Sequence, residues 1–237
     1  MRIHFIRLRW IWYALSLVVV VPGIISLATR GLNLGIDFTG GSLLDLEFKR
    51  AVETQEVRRV LADFKLERSP IQKSGRNSFI IRTRALGENE GKKLVDALGE
   101  RLGGVTVLRS EKVGPIIGKE LTQKAIMALV IASGLMLVYI TIRFEFKQGV
   151  AAVVALIHDA LVTLGVFSIF QIEVDSSFVA AVLTILGYSI NDTIIIFDRI
   201  RENIKTKKVT GPLEDVINAS LWQTMARSIN TVLAVLF

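Results

Sequence analysis

Asp192 stands inside an apolar run, FVAAVLTILGYSINDTIIIF (residues 178–197), about as long as a bilayer is thick. A charged side chain near the centre of a spanning helix costs about 2.5–3.5 kcal/mol on insertion scales. A chain that bears this cost uses the group for proton or ion movement, or for binding between helices. Desolvation disfavours the charged form of a carboxyl and a nearby cation favours it, each tenfold change being about 1.4 kcal/mol. Moving one charge through 100 mV is worth about 2.3 kcal/mol. Field and local geometry together can therefore decide the protonation of such an aspartate. Arg227, in MARSIN at the start of the next apolar stretch, is the candidate counter-charge. The expectation is a proton carrier at Asp192 that Arg227 alternately pairs with and releases.

Other polar residues lie in the same apolar environment. His158 and Asp159 fall within the preceding apolar block, where a second ionisable pair is equally costly. They serve either as relay members or as a salt bridge that fixes helix packing. Asn191 and Thr184 share one helical stripe with Gly187 and Ala180, a pattern more common in helix packing than in proton relays. Ser189 and Thr193 either hydrogen-bond beside Asp192 or bond back to carbonyls of their own helix.

The elements that must position these groups follow from hydropathy. Hydrophobic residues are 51% of the 237, and mean hydropathy is +0.49. The apolar blocks cover residues 10–28, 124–142, 150–170 and 178–197, each near the ~20 residues that a helix needs to cross a bilayer. The first block is too long for a signal-peptide core and has no small-x-small exit, so it reads as an uncleaved anchor. A fifth span starts near Arg227 and is expected to be cut short. The net charge of +7 is not read as a nucleic-acid footprint. Arg2, Arg7 and Arg9 flank the first block, and most other basic residues are interleaved with acids. Absence of cysteine excludes disulfides, zinc ribbons and thiol catalysis.

Short loops set the orientation. Basic residues gather at the N-terminus, at Arg143 and Lys147, and at Arg199, Arg201, Lys205, Lys207 and Lys208; the loop at 171–177 has none. The alternation predicts a cytoplasmic N-terminus and an extracytoplasmic large domain. The expected layout is residues 1–29 for the N-terminus and first span, and 30–123 for the outer domain. Spans two to four follow at 124–197, cytoplasmic charged and amphipathic helices at 198–226, and the fifth span from 227 to 237.

Within the outer domain, residues 42–48 alternate as a half-buried strand, and Val57, Val60, Leu61 and Phe64 recur at helical spacing, with Thr54 as N-cap. Strands near 68–73 and 78–84 flank the turn Ser74–Asn77. A helix with Leu94, Leu98 and Leu102 stops at Gly103-Gly104, and a strand at 105–113 leads to a short helix before the second span. The order β-α-β-β-α-β predicts an α+β ferredoxin-like domain on a multi-span helical membrane protein. Binding or lever action suits it better than catalysis. Gly35-Ile36-Asp37-Phe38-Thr39-Gly40-Gly41 precedes it, and Gly114-Pro115 follows. The first motif lacks the lysine and the context of a phosphate loop, so a tight connection is expected. Asp198, Arg199, Arg201 and Glu202 read as an interfacial helix end with solvated ion pairs. After Thr210-Gly211-Pro212, the apolar stripe Leu213, Val216, Ile217 and Leu221, with Glu214 and Asp215 in the first turn, suits the inner membrane surface or a partner subunit.

GIDFTGG after the first span, VGP before the second, a His-Asp pair in the third and GYSINDTIIIFDRIREN in the fourth resemble the SecF family of the RND superfamily. The resemblance implies a subunit that pairs with a SecD-like chain in the cytoplasmic membrane. It also implies work beside the SecYEG channel and the SecA motor on preprotein substrates, driven by the proton motive force. By the same resemblance Asp192 and Arg227 are the proton-translocating pair, and Gly35, Asp37, Gly40, Gly41, Gly114 and Pro115 are structural motif positions. No enzymatic activity, cofactor, metal or nucleic acid is implied. Three other classes share some features. They are an RND-like exporter of small molecules or lipids, a scaffold whose charges only pack helices, and an intramembrane aspartyl protease built on Asp159 and Asp192. The protease reading lacks the glycine-x-glycine-aspartate signature, since the residues around Asp192 are YSIND.

Overall fold

The computed structural model describes residues 3–143, 146–209 and 211–236. Arg2 and Thr210, and the middle of the basic loop at 144–145, lie outside the described residues. From the N-terminus, helix α1 (Arg9–Thr29) is followed by the two-residue strand β1 (Asn33–Leu34) and one helical turn, α2 (Ile36–Thr39). Next come β2 (Gly41–Phe48), α3 (Thr54–Asp63), β3 (Ile71–Lys73), β4 (Ser78–Thr83), α4 (Glu88–Leu102) and β5 (Val105–Val113). The helices α5 (Pro115–Arg143) and α6 (Phe146–Phe170) precede a two-residue β6 (Glu173–Val174), and α7 (Ser176–Thr206) and α8 (Leu213–Leu236) follow. The chain divides into two units, Leu34–Met127 and the combination of Met1–Asn33 with Ala128–Phe237.

The first unit is built on an antiparallel sheet of order β3-β4-β2-β5. Strand periodicity sends Leu44, Leu46 and Phe48 of β2 and Phe79 and Ile81 of β4 into the core. Val57, Val60 and Leu61 of α3 and Leu94, Leu98 and Leu102 of α4 reach the same core at three- and four-residue steps. Each such side chain contributes about 1.5–3 kcal/mol of transfer free energy. Helix α3 starts one residue earlier than expected. Its N-cap is Glu53, not Thr54, because the Glu53 N–H donates to Glu56 Oε2 at 3.1 Å, half of a capping box.

Backbone proximity accounts for two motif glycines. A Cβ on Gly41, whose φ is +137°, would lie 2.4 Å from the Thr83 carbonyl oxygen of the paired strand. A Cβ on Gly40 would lie 2.9 Å from Pro115 Cα, so GIDFTGG and VGP press backbone to backbone. Helix α5 then runs unbroken from Pro115, correcting the separate short helix expected before the second span. Proline suits a first helical turn, and the Gly118 N–H already donates to the Gly114 carbonyl.

In the second unit, α1, α6 and α7 are long and apolar enough to cross a membrane, as is α5. Helix α1 crosses α6 at two glycines, with a Cβ built on Gly23 only 2.9 Å from Gly165 Cα. Ser26 Oγ and Ser168 Oγ lie 2.8 Å apart beside that crossing, and Ser168 donates to the Gly31 carbonyl. Phe167 and Phe178 rings, 4.3 Å between centroids, join α6 to α7. Asp175 caps α7 by accepting from the Phe178 N–H at 2.9 Å.

Helix α8 runs across the expected boundary at 226/227. It is one helix from Leu213 to Leu236, because no glycine or proline interrupts that sequence where its hydropathy changes. Its first half packs on α7, and of the predicted stripe Val216 is buried whereas Leu213 is exposed. The N-terminal segment also docks on it. His4 Nε2 lies 2.9 Å from Asp215 Oδ1, the Phe5 N–H donates to Asn218 Oδ1, and Trp222 Nε1–H donates to the Ile3 carbonyl.

Candidate intramembrane proton site

Helix α7 positions Asp192 about three-quarters of the way along its apolar stretch, residues 178–197. The residue is half-buried, and its Oδ1 atom is shielded from solvent without a hydrogen-bond partner among the described residues. A desolvated oxygen of this kind is costly while charged, and a proton or an approaching donor relieves it. Arg227 of α8 is exposed and makes no ion pair or hydrogen bond with Asp192. It lines a cleft of about 470 Å³ between α7 and α8, together with Asn191, Asp198, Glu202, Gln223 and Thr224. The sequence pair is thus placed on two packed helices and not joined by an ion pair or hydrogen bond.

What the structure does bring together is a chain of polar groups across three helices. Ser16 Oγ of α1 lies 2.6 Å from His158 Nε2 of α6. His158 Nδ1 lies 3.0 Å from Asp159 Oδ1, and Ser189 of α7 donates to Asp159 Oδ2 at 2.6 Å. Ser189 therefore reaches a neighbouring helix, whereas Thr193 bonds back to the Ser189 carbonyl at 2.9 Å. Thr184 likewise bonds back to Ala180, and with Ala180 and Asn191 it is exposed. Nothing lies within 4 Å of a Cβ built on Gly187, while Asn191 lines the cleft toward α8.

Sequence reasoning missed Ser16, a single hydroxyl in an otherwise apolar span with no periodic signal to mark it. It also missed Asn203, buried in α7, whose amide donates to Ser220 Oγ at 2.8 Å and Gln223 Oε1 at 2.9 Å of α8. Serine, histidine and aspartate in series invite a hydrolase reading. Acyl transfer, however, needs N–H donors aimed at an oxyanion, and those flanking Ser16 lie inside the ladder of α1. Both Asp159 oxygens are engaged by His158 and Ser189, and no hydrogen bond joins Asp159 to Asp192. The charged end of α7 forms exposed or half-buried pairs: Arg143 with Asp198, Arg199 and Lys208 with Glu202, and Arg201 with Asp198. Of the other motif glycines, Gly114 has nothing within 4 Å of a built Cβ, and Gly35 is the extended N-cap of α2.

Comparison with known proteins puts this geometry in a family context. The family description "Protein export membrane protein SecD/SecF, C-terminal" matches residues 94–237, and "SecD/SecF GG Motif" matches residues 25–52. The protein translocase subunit SecF of Acidaminococcus fermentans is 46% identical over 234 residues, covering 96% of this chain and 80% of that protein. Its counterpart in Sebaldella termitidis is 39% identical, covering 100% of this chain and 78% of its own length. The crystal structure of SecDF from Thermus thermophilus, described as a translocon-associated membrane protein, superposes with a TM-score of 0.88 at 34% identity. It covers 98% of this chain, which spans 32% of that longer chain. A structure of SecDF in a super-membrane-facing form gives a TM-score of 0.66 at the same identity.

Proposed function

Because the chain belongs to the SecF family of protein translocase subunits, we propose that it assists preprotein translocation by carrying protons at Asp192. The observation that carries the reading is the shielded, unpartnered Oδ1 of Asp192 in an apolar span. Arg227 is the mobile counter-charge. Its position on α8 beside the cleft that Asn191 also lines supports an approach to Asp192 during the cycle. The chain assembles with a SecD-like subunit and works with the SecYEG channel and the SecA motor. The length of the SecDF chain, about three times the part matched here, supports a partner of that kind.

The protein is a multi-pass component of the cytoplasmic membrane with a cytoplasmic N-terminus, as the distribution of basic residues in short loops supports. The unit at 34–127 is a ferredoxin-like domain outside the membrane, a reading favoured by its strand order β3-β4-β2-β5 and two helices. It binds or transmits force and performs no bond chemistry. Replacing Asp192 with Asn removes the proton site while keeping side-chain volume. Proton-driven export by the assembled complex is expected to be lost, with co-purification of the SecD-like partner unchanged. Full export by the variant sinks the proposal; loss of assembly together with export favours a scaffold role.

A further inference from the structure

The chain Ser16–His158–Asp159–Ser189 is not needed by a carrier made of Asp192 and Arg227 alone. We propose that His158, held by Asp159, is a second proton-holding group of the membrane unit, exchanging its proton with Asp192 by way of Ser189. This inference rests on the reading of Asp192 as the carrier.

The geometry defines both states of the imidazole. In the neutral ring Nδ1 keeps its hydrogen toward Asp159 Oδ1 at 3.0 Å, and Nε2 accepts from the Ser16 hydroxyl at 2.6 Å. One added proton at Nε2 makes the ring a cation and reverses that bond, so that Nε2–H donates to Ser16 Oγ. The Ser16 hydrogen then turns to a carbonyl of its own helix, the bond that serines in helices make readily. Both states keep the same heavy-atom contacts, so charging requires no rearrangement of the ring. The added charge sits against the Asp159 carboxylate, which also accepts from Ser189 Oγ at 2.6 Å.

The way onward runs along α7. Ser189 precedes Asp192 by three residues, a spacing at which side chains of one helix meet. From the cation, the Nδ1 hydrogen passes to Asp159 Oδ1, leaving a neutral ring with its hydrogen on Nε2. The Asp159 carboxyl turns to give that hydrogen to Ser189 Oγ, which releases its own to Asp192. Asp159 is then ionised again and Ser189 is unchanged. Histidine is suited to this because its charge changes between about pH 5 and 8 in ordinary surroundings.

Few other ionisable groups share the apolar stretches of these helices. Between residues 10 and 29, α1 carries no charged side chain, and between 176 and 197 α7 carries only Asp192. The other titratable groups of these stretches, Tyr13 and Tyr188, are 56% and 43% exposed. On α6 the remaining ionisable group is Lys147, about three turns before His158.

The chain contains two histidines, His4 and His158, so a His4→Gln variant leaves His158 as the sole imidazole. Histidine labelled with nitrogen-15 in that variant, assembled with its SecD-like partner in lipid nanodiscs, reports the tautomer and charge of His158 by NMR. The expected result is the Nδ1–H tautomer at high pH, charging to the imidazolium as pH falls, with a midpoint that moves when Asp192→Asn is added. A ring that keeps one form from about pH 5 to 8, or a midpoint indifferent to Asp192→Asn, overturns the proposal. In proteoliposomes, His158→Gln keeps a hydrogen-bonding side chain and is expected to remove the histidine limb from the pH profile of proton flux. An unchanged profile is a second refutation. Undiminished flux in Asp192→Asn overturns the carrier reading itself, whatever His158 does.

Discussion

At the residue scale, Asp159 and Ser189 separate the two uses of a polar contact inside a membrane. Replacing Asp159 with Asn keeps a hydrogen-bond acceptor for Ser189 but no charge to balance an imidazolium. Assembly is expected to survive and proton flux to fall, whereas Asp159→Leu also weakens the packing of α6 on α7. Thermal stability of the detergent-solubilised complex distinguishes the two, with the leucine variant losing roughly 0.6–2 kcal/mol more. The glycines of the unit Leu34–Met127 make a sharper prediction. Gly41→Ala puts a methyl group 2.4 Å from the Thr83 carbonyl oxygen in a backbone conformation that alanine rarely adopts. Hydrogen exchange along β4 is expected to accelerate strongly, because β2 must move off its partner. The cost of Asp192 is visible in the sequence, since one carboxylate stands out in twenty apolar residues. Its lack of contact with Arg227 is not, because spacing along a chain does not fix how far one helix is rotated against the next. Ser16 is hidden for the same reason: its partner lies 142 positions away.

At the element scale, two helix starts show how local chemistry sets boundaries. Glu56 reaches back to the Glu53 N–H, and that bond, assisted by Arg50, holds its carboxyl below the ordinary value of 4.5. A depressed carboxyl contributes stability that is present above its unfolded value and is lost as pH falls through the folded one. Protection of α3 against hydrogen exchange is therefore expected to drop as pH is lowered below about 4.5, and to lose that dependence in Glu56→Gln. Glutamine can still close the capping box but cannot ionise. On the other unit, Asn203→Leu leaves Ser220 and Gln223 of α8 without their donor. Such a loss costs about 1–3 kcal/mol, and cysteine cross-linking between α7 and α8 is expected to become less efficient. Strand and helix periods make most elements of the unit Leu34–Met127 legible in the sequence. The continuity of α5 and α8 is not, because hydropathy changes along each helix while its backbone propensity does not. The membrane marks a boundary that the hydrogen-bond ladder ignores.

At the scale of the whole molecule, the two units differ in how they are completed. The unit Leu34–Met127 encloses its own apolar core, so an excised fragment with those bounds is expected to fold in water and to unfold cooperatively on heating. Persistent molten behaviour by near-ultraviolet circular dichroism argues against that. The other unit turns large apolar side chains outward along α1, α5 and α6, and it requires lipid and neighbouring chains to cover them. The α1–α6 crossing at Gly23 and Gly165 also has a history in time. Its halves are separated by the intervening synthesis of α5 and the entire unit Leu34–Met127. At roughly 5–20 residues per second, a ribosome needs on the order of 7–30 s to deliver α6 after α1 has entered the membrane. Throughout that interval the small-residue groove of α1 waits uncovered, with Ser26 lacking the hydroxyl it will meet. A newborn α1 must therefore be sheltered by lipid or by the insertion machinery, and slow translation lengthens its exposure to membrane proteases.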